Sequence, residues 1–404
     1  MSTNNRRDFF KKTGLLTAGL ISIPALAQSN SLAKPGKKKI IYRTLGNTGI
    51  KVPIVSMGVM NANNPALLKE AYNQGIRHFD TAWFYQRGKN EEMVGDVLRE
   101  VKADRKKVTI STKIYLGDYG PNYPKGKKAK ESFLKRFDES LTRLKMDYVD
   151  ILYYHAVSEI EQANDPYIIE AFQELKAQNK IKHTGFSTHN YWPDLLTDAA
   201  NKGFYEVVLL SINYSMANDP KTFEAMQYAA KKGIGLVAMK TQCQQDWYKS
   251  MLPSDIQKFY EGQIMHTALL KWVLKHEYIT TAVPGFTTFS QLTDDFTVAS
   301  DLEYTGEEKQ FLTDHHVVAG LQQVCHLCGK CTGSCPNGVD IPSLMRVHMY
   351  SESYGNTSMA TNTLNNIPKG KNFEQCAKCD VCSARCVRNV PVAERIADLK
   401  NTFA

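Results

Sequence analysis

Between residues 40 and 320, short apolar runs alternate with longer stretches that carry apolar residues at helical spacing. Eight runs have the length of a strand: 52–58, 76–81, 108–113, 148–155, 183–187, 207–213, 235–240 and 279–283. Eight stretches of helical period follow them: 65–74, 90–101, 128–144, 166–178, 193–202, 221–232, 262–276 and 289–299. Eight strand-helix units of about 30 residues favour an α/β fold of the closed (β/α)8, or TIM barrel, type over an open sheet.

Two further segments extend this pattern at either end. Residues 41–52 include Gly46 and Gly49, which predicts a short hairpin that caps the bottom of the barrel. Beyond the barrel, residues 341–350 predict a helix, and the Ser-, Thr- and Asn-rich stretch 351–366 predicts a connecting loop.

The first 27 residues have the pattern of an export signal. Arg6 and Arg7 precede an apolar run from Gly14 to Leu26, which ends in the small-residue site at Ala27. This order resembles a twin-arginine signal peptide cleaved after Ala27, which implies use of the twin-arginine export machinery and a periplasmic location. The run is shorter than the roughly 20 residues of a membrane span. The alternatives are an uncleaved anchor and a frayed amphipathic N-terminus, and residues 28–39 predict a solvated linker.

The charge of the chain is concentrated at its N-terminus. Residues 1–39 carry +7 of the formal net charge of +9, which leaves +2 for the rest of the chain. Binding of nucleic acid requires a concentrated basic face on the folded domain. We therefore expect no nucleic-acid partner.

Polar residues at the ends of three predicted strands have the chemistry of carbonyl reduction. Asp80 and Tyr85 follow the second strand, Lys113 ends the third, and His155 ends the fourth. In a (β/α)8 barrel these ends converge at the catalytic face. Reduction of a carbonyl needs a proton donor and a stabilised oxygen, and a lysine ammonium held by a carboxylate is expected to lower the pKa of a nearby tyrosine.

These four residues resemble the catalytic tetrad of the aldo-keto reductase superfamily. Asp80, Tyr85, Lys113 and His155 match its Asp, Tyr, Lys and His in order, and the resemblance covers roughly residues 40–300. Taken singly, each residue has a structural explanation, as a helix cap, a loop aromatic, a strand-end surface charge or a satisfied core histidine. The resemblance implies a small-molecule carbonyl or alcohol substrate, with Tyr85 as the proton donor.

The resemblance also implies a nicotinamide cofactor, NAD(P)(H). Ser187 matches the strand-end segment that contacts the nicotinamide amide, and Lys240 is a candidate phosphate contact, with a strand-end surface lysine as the alternative. The sequence departs from the pattern of NADP-preferring members at Gly285 and Gln291 and places Met239 near the position of a stacking aromatic residue. The choice between NAD and NADP therefore stays open.

Cysteine is distributed unevenly along the chain. Of nine cysteines, only Cys243 precedes residue 325, and we interpret it as a lone loop or core cysteine. The other eight form two motifs with the C-x2-C-x2-C-x3-C spacing of bacterial ferredoxins, although the second lacks the usual proline. By this resemblance, one [4Fe–4S] cluster is held by Cys325, Cys328, Cys331 and Cys386, and the other by Cys376, Cys379, Cys382 and Cys335. Zinc and disulfides are the alternatives.

These observations predict four segments: a signal peptide at 1–27, a linker at 28–39, an aldo-keto reductase barrel at 40–318, and a mainly α-helical ferredoxin-like dicluster domain at 319–404. The first hypothesis is an oxidoreductase that interconverts a carbonyl and an alcohol and exchanges electrons through its clusters, with a redox protein as a possible partner. A second is an exported electron-transfer protein that uses the barrel as a docking scaffold. In a third, the clusters are purely structural.

Overall fold

The computed structural model of the chain describes residues 39–117, 123–189, 192–242, 265–314, 325–379 and 381–403. Several predictions lie outside these residues. They concern the signal peptide at 1–27, nearly all of the linker at 28–39, the domain boundary between residues 318 and 319, and Cys243.

Eight parallel strands form one sheet whose two edges meet. The strands are β3 (Met57–Gly58), β4 (His78–Asp80), β5 (Thr109–Ile114), β6 (Val149–Tyr154), β7 (Ile181–Thr188), β8 (Val207–Ser211), β9 (Gly235–Met239) and β10 (Ile279–Ala282), and each pairs with the next. Backbone hydrogen bonds from Ser56 to Ala282 (2.8 Å) and from Ala282 to Ile54 (2.9 Å) join the first strand segment to the last. The predicted (β/α)8 barrel is confirmed.

Helices follow the strands close to the predicted bounds. They span Pro65–Gln74, Lys89–Glu100, Lys127–Leu144, Ile160–Ala163, Pro166–Ala177, Trp192–Lys202, Pro220–Lys231, His266–Leu274, Phe289–Thr297 and Gly306–Thr313. Their starts have local causes. At the first helix, Asn64 accepts a hydrogen bond from the Ala66 amide, and Pro65 occupies the first helical position. At the helix Pro166–Ala177, Asp165 accepts a hydrogen bond from the Tyr167 amide, and Pro166 occupies the first helical position.

The predicted hairpin closes the bottom of the barrel. Its strands, β1 (Tyr42–Thr44) and β2 (Lys51–Pro53), are antiparallel. Leu45 packs into the barrel interior with Ile151 and Val237. Gly46 has φ +50° and touches the backbone at Gly233, so a side chain there would be strained and would clash. Because the interior is filled, the barrel has room for a ligand only at the opposite, C-terminal face.

The C-terminal segment is mainly helical, with one error in our prediction. Its helices are Ile341–His348, Thr357–Asn366 and Val392–Phe403, and a π-helix spans Met349–Ser353. The stretch 351–366 was predicted to be a loop. It forms a helix because Asn356 caps the Met359 amide and buried Met359, Ala360 and Thr363 pack into the segment's core at helical spacing.

This C-terminal segment packs on the catalytic face of the barrel. Tyr85 and Ala82 belong to the same apolar cluster as Leu344 and Ile341 of the segment. Polar contacts extend the interface: the Asn356 amide donates to the Asn61 side chain (2.7 Å), the Ser215 hydroxyl pairs with His326 Nε2 (2.8 Å), and Arg388 pairs with Asp219 (3.2 Å). In the described part of the chain, no helix combines the length and apolar character that crossing a membrane requires.

Candidate active site

Asp80, Lys113 and Tyr85 meet at the C-terminal end of the barrel. Lys113 Nζ lies 2.5 Å from Asp80 Oδ2 and 3.5 Å from the Tyr85 hydroxyl, and it also donates to the Thr81 carbonyl at 2.7 Å. The Ser111 hydroxyl donates to the other Asp80 oxygen at 2.6 Å. The lysine is only 1% exposed, so its orientation toward Tyr85 is fixed by buried partners.

The electrostatics at Tyr85 differ from our expectation. Burial, and after it the charge of Asp80, raises the pKa of Tyr85 above its usual value. Burial lowers the pKa of Lys113, against the opposing effect of Asp80. The Tyr85 phenol is therefore fully protonated at neutral pH, which suits a proton donor. Its pKa is shifted upward, opposite in direction to the lowering by the lysine that we predicted.

His155 lies beside Tyr85, and His189 lines the same cavity as Tyr85. His155 lies at the end of β6, with its ring centroid 5.9 Å from that of Tyr85 and 5.1 Å from that of Phe84. Both His155 and His189 are buried, and burial, together with nearby cations, lowers their pKa values well below the usual range. Both imidazoles are therefore neutral at pH 7, and each retains a buried Nδ1 without a hydrogen-bond partner.

Replacement of Asp80 by Asn is expected to destabilise the fold. The change leaves the buried ammonium of Lys113 without its counter-charge, which costs about 3–5 kcal/mol of unfolding free energy in such pairs. Chemical denaturation of both proteins measures the difference. Asp96→Asn is the control: it breaks a solvent-exposed pair with Lys145, and screening by water should make its effect on stability much smaller. Equal effects of the two changes would contradict the role of the buried pair.

His78, below the tetrad, predicts a pH effect on stability. It is completely buried against Ser111 at 3.0 Å, and burial lowers its pKa to about 4. In the unfolded chain the imidazole has a pKa near 6.5. The contribution of His78 to the free energy of unfolding is therefore complete above pH 6.5 and decreases as the pH falls toward 4. When the pH falls from 7 to 5, the free energy of unfolding of the His78→Gln variant should therefore decrease by about 2 kcal/mol less than that of the unmodified chain. Parallel pH profiles for the two proteins would contradict this assignment.

A cavity of about 670 Å³ opens above these residues. Its floor is formed by Asp80, Tyr85 and His155, and its sides by the ends of several strands and by the C-terminal segment, through Tyr350 and Met359. Sequence reasoning missed this second group. No local signal marks those residues, because their role depends on how the segment packs on the barrel.

The two predicted cofactor residues occupy different environments. Lys240, half-buried and in the left-handed region at φ +57°, lines the cavity, with its Nζ 3.5 Å from Met349 Sδ and 5.0 Å from the centre of the Tyr350 ring. Ser187 is buried at the end of β7, where its hydroxyl accepts a hydrogen bond from the Ala156 amide at 3.0 Å. The Ser187 hydroxyl therefore positions the loop after β6, with its own proton available for donation.

The far end of the cavity is formed by the segment after β10. Gly285, Thr287, Thr288 and Gln291 line it, so the positions that depart from the NADP-preferring pattern do face this space. Thr288 caps the following helix in a reciprocal capping box with Gln291. Nearby, Gln242 donates to both oxygens of buried Asp295 at 2.6 Å, and burial raises the pKa of that carboxyl to about 7.

The eight cysteines of the C-terminal segment form no disulfides with one another and lie in two groups. Electrostatic interactions connect Cys325 with Cys331 and Cys386, and Cys331 with Cys328. In the second group they connect Cys376 with Cys335, Cys379 and Cys382. The fourth cysteine of each motif therefore lies with the first three of the other, as the crossed ligand sets predicted from the spacing require.

The surroundings of the thiols also fit cluster ligands. A cavity of about 180 Å³ is lined by Cys335, Cys376, Cys379 and Cys382. Sulfur atoms accept hydrogen bonds from the Asn337 amide (2.9 Å, to Cys379) and from the backbone after Cys325 and Cys386 (3.4 Å each). Among the described residues, no three His, Cys, Asp or Glu side chains converge on one ion. A cubane does not require this convergence, because each thiolate binds a different iron.

The barrel carries the buried Asp80–Lys113–Tyr85 group at its C-terminal face, where (β/α)8 enzymes have their active sites. Residues 57–247 match the aldo/keto reductase family. This family domain, with the reductases that the chain resembles, supports an oxidoreductase of the aldo/keto reductase type.

Similar proteins span the barrel. L-galactose dehydrogenase of Arabidopsis thaliana is 27% identical over 72% of this chain and 97% of its own length, and L-glyceraldehyde 3-phosphate reductase of Escherichia coli O157:H7 is 26% identical over 69% and 93%. A solved aldo-keto reductase from Bacillus halodurans superposes with a TM-score of 0.55 over 69% of this chain and 100% of its own, at 21% identity. This last likeness supports the fold.

Proposed function

We propose that this protein interconverts a carbonyl and an alcohol with NAD(P)(H) and is coupled to two [4Fe–4S] clusters. The observation that carries the proposal is the buried Asp80–Lys113–Tyr85 arrangement, in which the phenol lines a cavity large enough for a substrate and a dinucleotide. A pure docking scaffold, the alternative for the barrel, has no use for a buried ion pair directed at a tyrosine in a cavity.

In the proposed reduction, a reduced nicotinamide supplies the hydride. Tyr85 donates its phenolic proton to the carbonyl oxygen as negative charge develops there. Lys113, 3.5 Å away, stabilises the resulting phenolate, and Asp80 holds the lysine in place. Neutral His155 orients the carbonyl oxygen by hydrogen bonding beside Tyr85. In the reverse direction, the phenolate takes the proton of the alcohol.

The residues available for the dinucleotide follow from the lining of the cavity. Lys240 supplies positive charge for a phosphate, and Thr288, Ser290 and Gln291 at the start of the helix Phe289–Thr297 line the same space. Ser187 remains the candidate contact for the nicotinamide amide. Gly285 and Gln291 stand where NADP-preferring members have basic residues, so the choice between NAD and NADP stays open.

The two cysteine groups are proposed to hold the clusters in the crossed arrangement given above. Bound [4Fe–4S] clusters supply one-electron transfer. The first group adjoins the site: the charge of Cys325 acts on Lys240, which lines the catalytic cavity. This proximity supports electron exchange between the clusters and the active site. A redox protein outside remains the proposed partner for the other end of this transfer.

We further propose that the protein is exported to the periplasm by the twin-arginine machinery. The support is the order of Arg6, Arg7, the apolar run and Ala27 in the sequence. Cluster insertion before export keeps the eight thiols out of disulfides in an oxidising compartment. Since free NAD(P)H is not expected there, the dinucleotide either travels bound to the protein or is replaced by electrons that arrive through the clusters.

Anaerobic assays of the full chain test the reaction. We expect reduction of an aromatic aldehyde such as 4-methylbenzaldehyde. The decrease in NADPH or NADH absorbance measures its rate. Reduction of the aldehyde by dithionite-reduced protein, with no dinucleotide present, would show entry of electrons through the clusters. Failure of both donors with a range of aldehydes and ketones would contradict the proposed function.

A further inference from the structure

The side chain of Asn337 donates a hydrogen bond to a cysteine of the second group. Its amide nitrogen lies 2.9 Å from Cys379 Sγ, although 42 positions separate the two residues along the chain. Asn337 follows the first cysteine motif, two positions after Cys335, whereas Cys379 belongs to the second motif. The contact therefore joins the two motifs at the same group that Cys335 completes.

A tight turn holds Asn337 in this position. The Gly338 amide donates to the Cys335 carbonyl at 3.1 Å, and Pro336 fixes the backbone angle φ between them. Gly338 has φ +65°, a conformation that favours glycine, and the next residue, Val339, is only 1% exposed. The turn thus begins at a cysteine of the group and ends in the core of the segment, so both of its ends are anchored.

The hydrogen bond lies in largely apolar surroundings. Asn337 and Cys379 line the cavity of about 180 Å³, together with the buried side chains of Val339, Ile341 and Ile396. Electrostatic interactions are screened less in such surroundings than in water. A change of charge at the Cys379 sulfur is therefore expected to be felt strongly by the amide that donates to it.

The first group is served by donors of another kind. The hydrogen bonds to Cys325 and Cys386 come from the backbone amides of Leu327 and Arg388, at 3.4 Å each. Backbone donors depend on the course of the loop. The contact from Asn337 is shorter and comes from a side chain, so a single substitution can remove it and leave the backbone unchanged.

We propose that Asn337 raises the reduction potential of the cluster held by the second group. This inference rests on the proposed [4Fe–4S] clusters. In the reduction, the cluster takes one electron from an external one-electron donor, and no bond forms or breaks. The added negative charge is shared by the thiolate sulfurs, and an N–H donor stabilises the more negative state more strongly. Loss of the donor therefore makes the cluster harder to reduce.

The second group also reaches the surface of the protein. Val381, the residue before Cys382, is 79% exposed. A redox protein can therefore approach this group from solution. The amide of Asn337 then influences how readily the protein exchanges an electron with such a partner.

A redox titration of the anaerobic full chain, followed by electron paramagnetic resonance, tests the inference. The signal of the second cluster is the one that Cys376→Ser lacks. Asn337→Leu removes the amide at similar size, and we expect the ratio of reduced to oxidised second cluster to fall about tenfold at a fixed solution potential, a shift of about 60 mV. The midpoint of the first cluster should stay the same.

Further variants show whether the hydrogen bond is the cause. Asn337→Asp keeps the shape and replaces the donor by an acceptor, so the second cluster should become at least as hard to reduce as in Asn337→Leu. Asn337→Gln keeps an amide on a longer side chain and should recover part of the potential. The control, Asn365→Leu, removes an exposed amide from the helix Thr357–Asn366 and should change neither midpoint.

Iron analysis of the same samples separates this inference from the proposed function. About eight iron atoms per chain, with an unchanged second midpoint in Asn337→Leu and Asn337→Asp, would overturn the inference and leave the clusters in place. An equal shift of both clusters would also overturn it, because a general change in structure would then be the cause. If Asn337→Leu loses iron, Asn337→Asp decides the question. An unmodified chain without iron would contradict the proposed clusters themselves.

Discussion

Tyr85→Phe is expected to lower the rate of carbonyl reduction by about 10²–10⁴-fold while leaving the fold intact. The change removes only the hydroxyl that donates the proton, and the ring keeps its contacts with Phe84 and His155. Steady-state kinetics with 4-methylbenzaldehyde measure kcat and KM. We expect the loss in kcat, because the proton is transferred only in the transition state.

The control for this variant is Tyr228→Phe, which removes a phenol on an outer helix where the hydroxyl donates to Asn201. Its kinetics should match those of the unmodified chain. Full activity of Tyr85→Phe would show that Tyr85 is not the proton donor, even if the barrel is intact.

Substitution of single cysteines is expected to reveal the crossed ligand sets. Cys335→Ser should lose the same cluster as Cys376→Ser, although 41 positions separate the two residues and Cys335 is the last cysteine of the first motif. The reason is that Cys376 and Cys335 interact within one group, lining one cavity. Anaerobic iron analysis should fall from about eight to about four atoms per chain in both variants.

Electron paramagnetic resonance of the reduced variants distinguishes the two clusters. We expect the spectrum of Cys335→Ser to match that of Cys376→Ser and to differ from that of Cys325→Ser. If Cys335→Ser matched Cys325→Ser instead, each motif would hold its own cluster and the crossed arrangement would be wrong.

Much of the barrel could be predicted because its signals are local. The alternation of strand-length runs with helical stretches located all eight parallel strands, and the helix Pro65–Gln74 has the predicted bounds. Strand-end positions brought Asp80, Tyr85 and Lys113 together, because parallel strands in a barrel present their ends at one face.

The contribution of the C-terminal segment to the site could not be predicted. Tyr350 and Met359 lie next to the barrel's catalytic face only through long-range packing, and nothing in their local sequence signals it. The same reason explains the error at 351–366, where polar composition suggested a loop although packing of a few apolar side chains produces a helix. The pKa of Tyr85 depended on burial, which composition does not reveal.

The most direct test of the account is anaerobic purification of the full chain followed by analysis of its iron, sulfide and released dinucleotide. We predict about eight iron and eight sulfide atoms per chain, together with bound NAD(H) or NADP(H) and turnover of a carbonyl substrate. Zinc in place of iron, or a fully active chain without iron and sulfide, would contradict the coupling of carbonyl chemistry to clusters.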